Sequence, residues 1–281
     1  MSNYIRTKEV LLEIKDVSLS FGPKLVLRDV NATITDVERD GHAATGQVIC
    51  FLGPSGIGKT QLSRVIAGLQ IPTKGRVTLK DELLTAPGKV GMVPQHYPLF
   101  EYATIAENLM IAGKQGGLNK QEINEKASVY IEAFGLRDYL GMYPRSLSGG
   151  TKQRVAIARQ LMCANNYMVM DEPFSGLDPI MKRQASDAIV KLAQMDTHNT
   201  IIIVTHDITE GLMVADMVWL MGLEKHSVHD KSVADVFIPG AKLVKTYDLA
   251  EMGFAWRPDL NHDQAFLKFV AEIKDQFQTL R

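Results

Sequence analysis

The sequence lacks the features that would place the chain in a membrane, outside the cell or on nucleic acid. No apolar run approaches the about 20 residues that a membrane-spanning helix needs. The N-terminal residues carry charges where a signal peptide would have its apolar core. The net charge of −1 provides no basic surface for nucleic acid. We therefore expect a protein that stays in the cytosol and does not bind nucleic acid.

Cysteine is scarce as well. Only Cys50 and Cys163 occur, without the spacing of a metal or redox site, and both lie in apolar stretches. We expect them to be reduced thiols in the core, as is usual in a reducing compartment. The composition, 46% hydrophobic and 22% charged, is ordinary for a globular protein, and 281 residues suffice for one large domain or two modest ones.

What the sequence does contain is a glycine-rich stretch, Gly53–Thr60, that fits the pattern G-x-x-x-x-G-K-[ST] of a phosphate-binding loop. The apolar run Val48–Leu52 before it predicts a parallel strand buried on both faces. The apolar residues after it have the spacing of an amphipathic helix: Leu62, Val65, Ile66 and Leu69. Because strand, loop and helix follow in the required order, we favour this interpretation over an ordinary glycine-rich turn with a surface lysine.

The loop would bind the phosphates of a nucleotide through its backbone and two side chains. The glycines would let the backbone N–H groups and the helix N-terminus point at phosphate. Lys59 would add positive charge near the β- and γ-phosphates, and the Thr60 hydroxyl would ligate Mg²⁺. The residues expected to contact the nucleotide here are Gly53, Pro54, Ser55, Gly56, Ile57, Gly58, Lys59, Thr60 and Gln61.

The stretches on either side of the loop predict more strands. Val10–Phe21 and Leu25–Ile34 alternate loosely, which indicates a small antiparallel sheet before the loop. Arg76–Leu79 and Val90–Val93 are expected to rejoin that sheet. The polar stretch Asp36–Thr45 is expected to be an exposed loop.

Helices are predicted in two further regions. A helical subdomain is expected at about residues 98–160, inserted into the nucleotide-binding core; Ile105–Ala112 is one candidate helix, and Asn119 with Glu122 resembles a capping pair that starts another. Near the C-terminus an apolar stripe predicts an amphipathic helix: Phe266, Phe269, Val270, Ile273, Phe277 and Leu280. We favour a helix that covers the protein's own core, and a docking or dimerisation helix is the alternative.

Buried strands are predicted again at Tyr167–Met170 and Ile201–Val204, so the order β-α-β-α makes an α/β fold with a parallel sheet wrapped by helices. Gly53, Asp171 and His206 each follow such a strand. Ligands of open parallel sheets bind at the carboxyl ends of the strands. Three separate stretches therefore predict one common site.

Asp171 and Glu172 supply the acidic chemistry of that site. A carboxylate at the end of a buried strand can reach Mg²⁺ through water, which is the role expected for Asp171. Glu172 could polarise an attacking water as a general base. The alternative is two acids that open a solvated turn, and the phosphate loop upstream argues against it.

A second stretch, Leu147–Arg154, reads LSGGTKQR. Ser148, Gly149 and Gly150 open a long predicted helix and make a second anion-binding helix terminus. One nucleotide does not need two such termini within one chain. This stretch resembles the signature of ATP-binding cassette (ABC) proteins, which binds the γ-phosphate of ATP held by the partner subunit.

The resemblance covers Leu11–Met221 in the family's order. Gln95 matches the Q-loop glutamine, which senses Mg²⁺ and water and adjoins the membrane partner. Asp178 closes a match to the D-loop, and His206 matches the switch histidine. Phe21 falls where an aromatic ring stacks on adenine. Taken singly, a glutamine is usually a surface residue, a histidine a structural one and a phenylalanine at the end of a strand a core one. Asp178 followed by Pro179 also predicts the start of a helix, with an N-cap side chain and proline at the first helical position.

The resemblance thus implies catalytic roles for Glu172, His206 and Gln95, and Mg²⁺ ligation by Thr60, Gln95 and Asp171. It implies contacts to nucleotide by Phe21 and, from the partner subunit, by Ser148, Gly149, Gly150 and Asp178. Thr151 stands where the family most often has glutamine, and Gln61 where it has a small hydroxyl residue. Neither departure removes a catalytic group, so we expect a competent ATPase.

The implied function is the ATP-binding and ATP-hydrolysing subunit of an ABC transporter, with an ATPase domain at residues 1–222 and an extension at residues 223–281. Its cofactors would be ATP and Mg²⁺. Its partners would be separate transmembrane permease subunits and a second copy of the ATPase subunit, in a cytoplasmic position peripheral to the inner face of the membrane. Asp171–Ser175 resembles importers of small anions and organic solutes, such as nitrate, sulfonate or taurine.

Three alternatives belong to the same superfamily. One is the ATPase of a bacterial lipid-transport system. A translation-associated ATPase would normally carry two cassettes and be more basic than this chain. A chromosome-maintenance ATPase would interrupt its cassette with a long coiled coil, for which the stretch between Gln95 and Ser148 leaves no room.

Overall fold

Ten strands form one mixed sheet in the computed structural model, which describes residues 4–39, 46–163, 166–225, 237–257 and 259–280. The strands are β1 (Tyr4–Phe21), β2 (Lys24–Arg39), β3 (Gln47–Leu52), β4 (Lys74–Leu79), β5 (Glu82–Leu83), β6 (Gly91–Val93), β7 (Tyr167–Asp171), β8 (Thr200–Thr205), β9 (Met217–Lys225) and β10 (Phe237–Asp248). Their spatial order is β5-β4-β1-β2-β10-β9-β3-β8-β7-β6.

The helices are α1 (Lys59–Ile66), α2 (Ile105–Gln115), α3 (Lys120–Phe134), α4 (Gly149–Cys163), α5 (Pro179–Gln194), α6 (Ile208–Val214) and α7 (Gln264–Gln278). Short 3₁₀ turns lie at Arg137–Tyr139, Pro144–Ser146 and Leu260–His262. Both capping predictions are confirmed: Asn119 and Glu122 form a capping box at α3, and Asp178 caps α5 ahead of Pro179. Among the described residues, no helix combines the length and apolar character needed to cross a bilayer.

The parallel strands β3, β8, β7 and β6 form the half of the sheet that carries the predicted site. Every residue of β3 is buried, and its side chains alternate between two cores. Ile49 and Phe51 face the core shared with α1 and the antiparallel strands, whereas Val48, Cys50 and Leu52 face the core shared with helices α4 to α7. This two-sided burial explains why the strand is a continuous apolar run.

The antiparallel strands depart from prediction at two points. β4 pairs with β1 as expected, but β6 lies at the opposite edge of the sheet, parallel to β7, so the assignment of Val90–Val93 to the antiparallel sheet is wrong. The prediction of an exposed loop at Asp36–Thr45 is also wrong for residues 36–39, because β2 continues to Arg39 and pairs there with the start of β1. Residues 40–45 lie outside the described residues.

Two smaller expectations also fail. α1 ends at Ile66, and Gly68, whose φ of 70° suits only glycine well, turns the chain away, so Leu69 is exposed and does not extend the helix. Of the two free cysteines, Cys50 is fully buried, whereas Cys163 is only half-buried.

The C-terminal part of the chain joins the same sheet and core. β10 lies between β2 and β9, and the predicted division after residue 222 falls within β9. Glu224 accepts from Arg28 of β2 at 2.6 Å and from Lys242 of β10 at 2.7 Å. The apolar stripe of α7 faces inward, as favoured: its buried members are Phe266, Phe269, Val270 and Ile273.

Candidate active site

The carboxyl ends of β3, β7 and β8 bring three predicted segments together. The Gly53 N–H after β3 donates to the carbonyl oxygen of Thr205 at 3.2 Å, and the Glu172 N–H after β7 donates to the carbonyl oxygen of Val204 at 2.7 Å. His206 follows β8 directly. The prediction that Gly53, Asp171 and His206 share one edge of the sheet is therefore confirmed.

The glycines of the phosphate loop are required by its backbone. Gly58 caps α1 with a φ of 109°, and a Cβ there would lie 2.8 Å from a methyl group of Val26. Gly53 has a different reason, because a Cβ there would lie 2.9 Å from the Met221 carbonyl oxygen. With small residues at both points, the loop can pass close to β2 and β9 and turn directly into the helix.

Lys59 is buried at the centre of the loop. Its Nζ donates to the Pro54 carbonyl oxygen at 3.0 Å and lies 3.1 Å from Oε1 of Glu172. The lysine side chain is 5% exposed and that of Glu172 is 11% exposed, so water screens this ion pair little. The remaining loop residues surround it: Ser55 and Gly56 are exposed, Ile57 is half-buried, and the Gln61 N–H donates to the Gly58 carbonyl oxygen.

Thr60 and Asp171 form a pair of oxygen ligands. The Thr60 hydroxyl donates to Oδ1 of Asp171 at 3.2 Å. Burial raises the pKa of Asp171 above its ordinary value, and the hydrogen bond from Thr60 opposes that shift. A hard divalent cation favours hydroxyl and carboxylate oxygens, and it would offset the desolvation of Asp171.

The Glu172 carboxylate has donors on both sides. While Lys59 faces Oε1, the other oxygen, Oε2, accepts from the Thr205 hydroxyl at 3.1 Å and from the His206 N–H at 3.2 Å. Nδ1 of His206 lies 2.8 Å from the same oxygen and is the donor when the carboxylate is ionised. The φ of Glu172 is 51°, in the left-handed region, a strain of about 1–3 kcal/mol that is typical of functional sites.

The other predicted residues lie elsewhere. Gln95 is exposed and donates to the Ser175 hydroxyl at 3.0 Å. The Ser148 hydroxyl caps α4 by accepting from the Thr151 N–H at 3.2 Å, and the glycines after it, Gly149 and Gly150, face Met181. Asp178 caps α5 by accepting from the Met181 N–H at 2.9 Å. Phe21 is 47% exposed, so the alternative of a buried ring is wrong.

No hydrogen bond between described residues joins Gln95, Ser148 or Asp178 to the phosphate loop. Within one chain, the structure therefore assembles the loop, Asp171, Glu172 and His206, and leaves the start of α4 outside the group.

Sequence reasoning missed three side chains around Glu172. Thr205 contacts the carboxylate itself, and Tyr97 and Gln153 both donate to the carbonyl oxygen of Pro173, the next residue along the chain. Thr205 could have been found as the last residue of a strand that ends beside Glu172. Tyr97 and Gln153 give no local signal of this role, because each contacts the site only through the tertiary fold.

Comparison with known families gives a consistent result. The model of a family described as "ABC transporter" matches residues 40–175. Among solved structures, cbiO1 from Clostridium perfringens, described as part of the ABC transporter complex cbiONQ, superposes with a TM-score of 0.71 over 95% of this chain and 100% of that one. At 21% identity this likeness concerns the fold.

Curated relatives are similar in sequence as well. The nitrate import ATP-binding protein NrtD of Synechocystis is 37% identical over 75% of this chain and 77% of that protein. The arginine transport ATP-binding protein ArtM of Bacillus subtilis is 37% identical over 75% and 87%, respectively. The maltose/maltodextrin import ATP-binding protein MalK of Escherichia coli is 32% identical over 95% of this chain and 68% of that protein.

Proposed function

The chain belongs to the ABC transporter family, as one of its ATP-hydrolysing subunits, and from this premise we propose that it powers the import of a small anion or organic solute through separate membrane subunits. The observation that supports ATP hydrolysis is the position of the Glu172 carboxylate. It is fixed between Lys59 on one side and Thr205 and His206 on the other. A carboxylate whose position is fixed in this way can accept a proton from a nucleophilic water.

The residues at the loop fit the phosphates of ATP with Mg²⁺. Gly58 opens α1 without a side-chain cap, and of the first three N–H groups of the helix only that of Gln61 has an acceptor among the described residues, the Gly58 carbonyl oxygen. Lys59 supplies a buried positive charge beside them. Thr60 and Asp171 would ligate Mg²⁺, which when bound neutralises charge on the β- and γ-phosphates. Phosphate oxygens near Lys59 would compete with Glu172 for the ammonium group of Lys59. The Glu172 carboxylate would then be free to accept the proton of the nucleophilic water.

We assign supporting roles to the residues at the rim. His206 donates to Glu172 and is 46% exposed, so its ring can also face a bound γ-phosphate. Gln95 would contribute to the Mg²⁺ site after leaving Ser175, a movement that would connect this site with the membrane partner. Phe21, exposed on the hairpin between β1 and β2, would stack on the adenine ring.

The start of α4 would complete the site of a second copy. Ser148 and Gly149 are exposed, and Gly149 lies beside Met181 in the first turn of α5. A head-to-tail dimer would bring them, with Asp178, against the γ-phosphate bound by the partner. ATP would then join the two halves, and hydrolysis would release them.

This arrangement predicts that a Glu172→Gln protein accumulates as an ATP-bound dimer. Adding Ser148→Arg is expected to keep it monomeric, because the long side chain fills the space that the partner's phosphate would occupy. Ser128→Arg, at an exposed serine of α3, is the matched control and should leave the dimer intact. Light scattering with saturating ATP measures the outcome, and an ATP-binding assay checks that the phosphate loop still works in each variant.

Two results would contradict the dimer. One is a Glu172→Gln protein that stays monomeric at saturating ATP, in low salt and at high concentration. The other is a Ser148→Arg variant that still dimerises.

The proposed solute class follows from the relatives. NrtD is named for nitrate import, a CysA protein of Nitrosomonas europaea that is 37% identical is named for sulfate and thiosulfate, and CmpD of Synechocystis, 34% identical, is named for bicarbonate. ArtM and MalK are named for arginine and maltose, so the ATPase subunit alone does not select the solute. We favour a small anion because three of these relatives are named for anions, and NrtD, at 37% identity, is matched over 77% of its own length, against 58% for CysA and 76% for CmpD.

We expect the chain to purify from native membranes together with its permease subunits, at the inner face of the membrane. Deleting it from its native host should abolish the uptake of one small anion among nitrate, sulfate and bicarbonate. Wild-type chain should restore that uptake and the Glu172→Gln variant should not. Loss of arginine or maltose uptake, with the uptake of all three anions unaffected, would overturn the assignment of the solute. The assignment of the chain as an ATPase would still stand.

A further inference from the structure

Three hydrogen bonds converge on the short segment Pro173–Ser175, which directly follows Glu172. The Tyr97 hydroxyl donates to the Pro173 carbonyl oxygen at 2.8 Å, and Nε2 of Gln153 donates to the same oxygen at 2.9 Å. Gln95 donates to the Ser175 hydroxyl at 3.0 Å. The donors come from two separate parts of the chain, the segment after β6 and the helix α4.

The two bonds to Pro173 are buried. Tyr97 is 9% exposed and Gln153 is 1% exposed, and Phe174, the residue after Pro173, is 1% exposed. Burial raises the pKa of Tyr97 above its ordinary value, so the phenol stays protonated and remains a donor. Water cannot readily replace donors in such a place, and the carbonyl is therefore fixed by these two side chains.

The backbone on both sides of this contact is strained. Glu172 has a φ of 51° and Tyr97 a φ of 45°, and neither is a glycine. Such conformations persist only where the surrounding contacts enforce them. Proline fixes its own φ, so few soft dihedral angles separate the Pro173 carbonyl from the Glu172 side chain. A shift of that carbonyl would therefore move the carboxylate.

We propose that Tyr97 and Gln153 are positioning residues for ATP hydrolysis, which act through the Pro173 carbonyl to keep Glu172 in its working orientation. This inference rests on the proposed role of Glu172 as the base. It adds a connection within one chain: Gln153 links α4, which starts next to Ser148 at Gly149, to the catalytic base Glu172. A displacement of α4, or of the segment that carries Gln95 and Tyr97, would then change the rate of hydrolysis without a contact to the nucleotide.

Tyr97→Phe tests the proposal by removing one oxygen atom. We expect kcat for ATP hydrolysis to fall about fivefold, because one buried hydrogen bond to the positioning carbonyl is lost. The KM for ATP should stay within about twofold, because the phosphate loop is unchanged. The matched control is Tyr247→Phe, which removes a hydroxyl that donates to Oε1 of Gln276 at the same 2.8 Å, far along the chain from Glu172. The Tyr247→Phe control should keep the wild-type kcat and KM for ATP.

A second pair of variants distinguishes positioning from general packing. Gln153→Met replaces the other donor by an apolar side chain of similar shape. The double variant, Tyr97→Phe with Gln153→Met, leaves the Pro173 carbonyl oxygen without either donor. The fall in kcat of this double variant should therefore exceed the product of the falls in the two single variants. If Gln153→Met does not fold, the Tyr97→Phe and Tyr247→Phe pair alone decides.

The proposal is overturned if Tyr97→Phe keeps the wild-type kcat, or if it changes kcat, KM and melting temperature no differently from Tyr247→Phe. Failure of the proposed function would look different. In that case the wild-type chain itself would not hydrolyse ATP, or Glu172→Gln would hydrolyse it normally.

Discussion

Replacing Glu172 by glutamine is expected to reduce ATP hydrolysis by about 10²-fold or more while ATP still binds. The side chain keeps its length, so one amide oxygen can still accept from Thr205 and His206. What the variant loses is the ability to take a proton from water. A steady-state phosphate-release assay, beside an ATP-binding isotherm for the same preparation, separates these two properties.

The structure sharpens this prediction in one respect. Lys59 faces Oε1 of Glu172 at 3.1 Å, and an amide nitrogen in that position would place two donors against each other. We therefore expect Glu172→Gln to favour states in which Lys59 is turned to phosphate, and to bind ATP at least as tightly as the wild type. Glu210→Gln is the matched control, since that carboxylate accepts from Ser186 at 2.6 Å and has no assigned role. Near-normal turnover in Glu172→Gln would mean that the base lies elsewhere.

Replacing Lys59 by alanine is expected to weaken ATP binding by roughly 10²-fold or more. A charge-assisted hydrogen bond to phosphate contributes up to about 3 kcal/mol, which corresponds to that factor in Kd. The ammonium group is buried and donates to the Pro54 carbonyl oxygen of the loop itself, so alanine removes a positive charge from the interior of the loop. Isothermal titration with ATP and Mg²⁺ measures the loss.

The control for this variant is Lys242→Ala, which also removes a lysine from an ion pair, with Glu224 at 2.7 Å, but on the strand β10. It should bind ATP normally. Because Lys59→Ala also leaves Glu172 without its cation, the melting temperature of each variant should be measured first. A folded Lys59→Ala protein with unchanged ATP affinity would refute the assignment of the phosphate loop.

The sequence predicted the central strands and the group around the loop because local signals and tertiary structure agree there. β3, β7 and β8 are continuous apolar runs, and polar residues follow each of them at the same edge of the sheet. The caps at Asn119 and Asp178 are local as well, since each side chain accepts from an N–H two or three residues ahead. Such features can be read without knowledge of the rest of the fold.

The errors concern pairings that no local signal specifies. Val90–Val93 has the character of a strand, but only its neighbour β7 determines that it lies parallel at the far edge. The polar residues after Asp36 stay in a strand because the start of β1 pairs with them. Tyr97 and Gln153 reach the same carbonyl from positions far apart in the sequence. In each case the deciding partner is remote, and composition and spacing do not reveal it.

The position of β10 also bears on how the chain folds as it is synthesised. In the described sheet, β10 is the strand that joins β2 to β9, pairing with β2 at Ala241 and with β9 along most of its length. The antiparallel strands and the nucleotide-binding strands therefore leave the ribosome before the strand that connects them. Until β10 arrives, the facing edges of β2 and β9 are unpaired, and such edges are prone to associate with other chains. Closing the long stretch of chain between β2 and β10 should be slow. A nascent chain would therefore complete its ATP site late in folding.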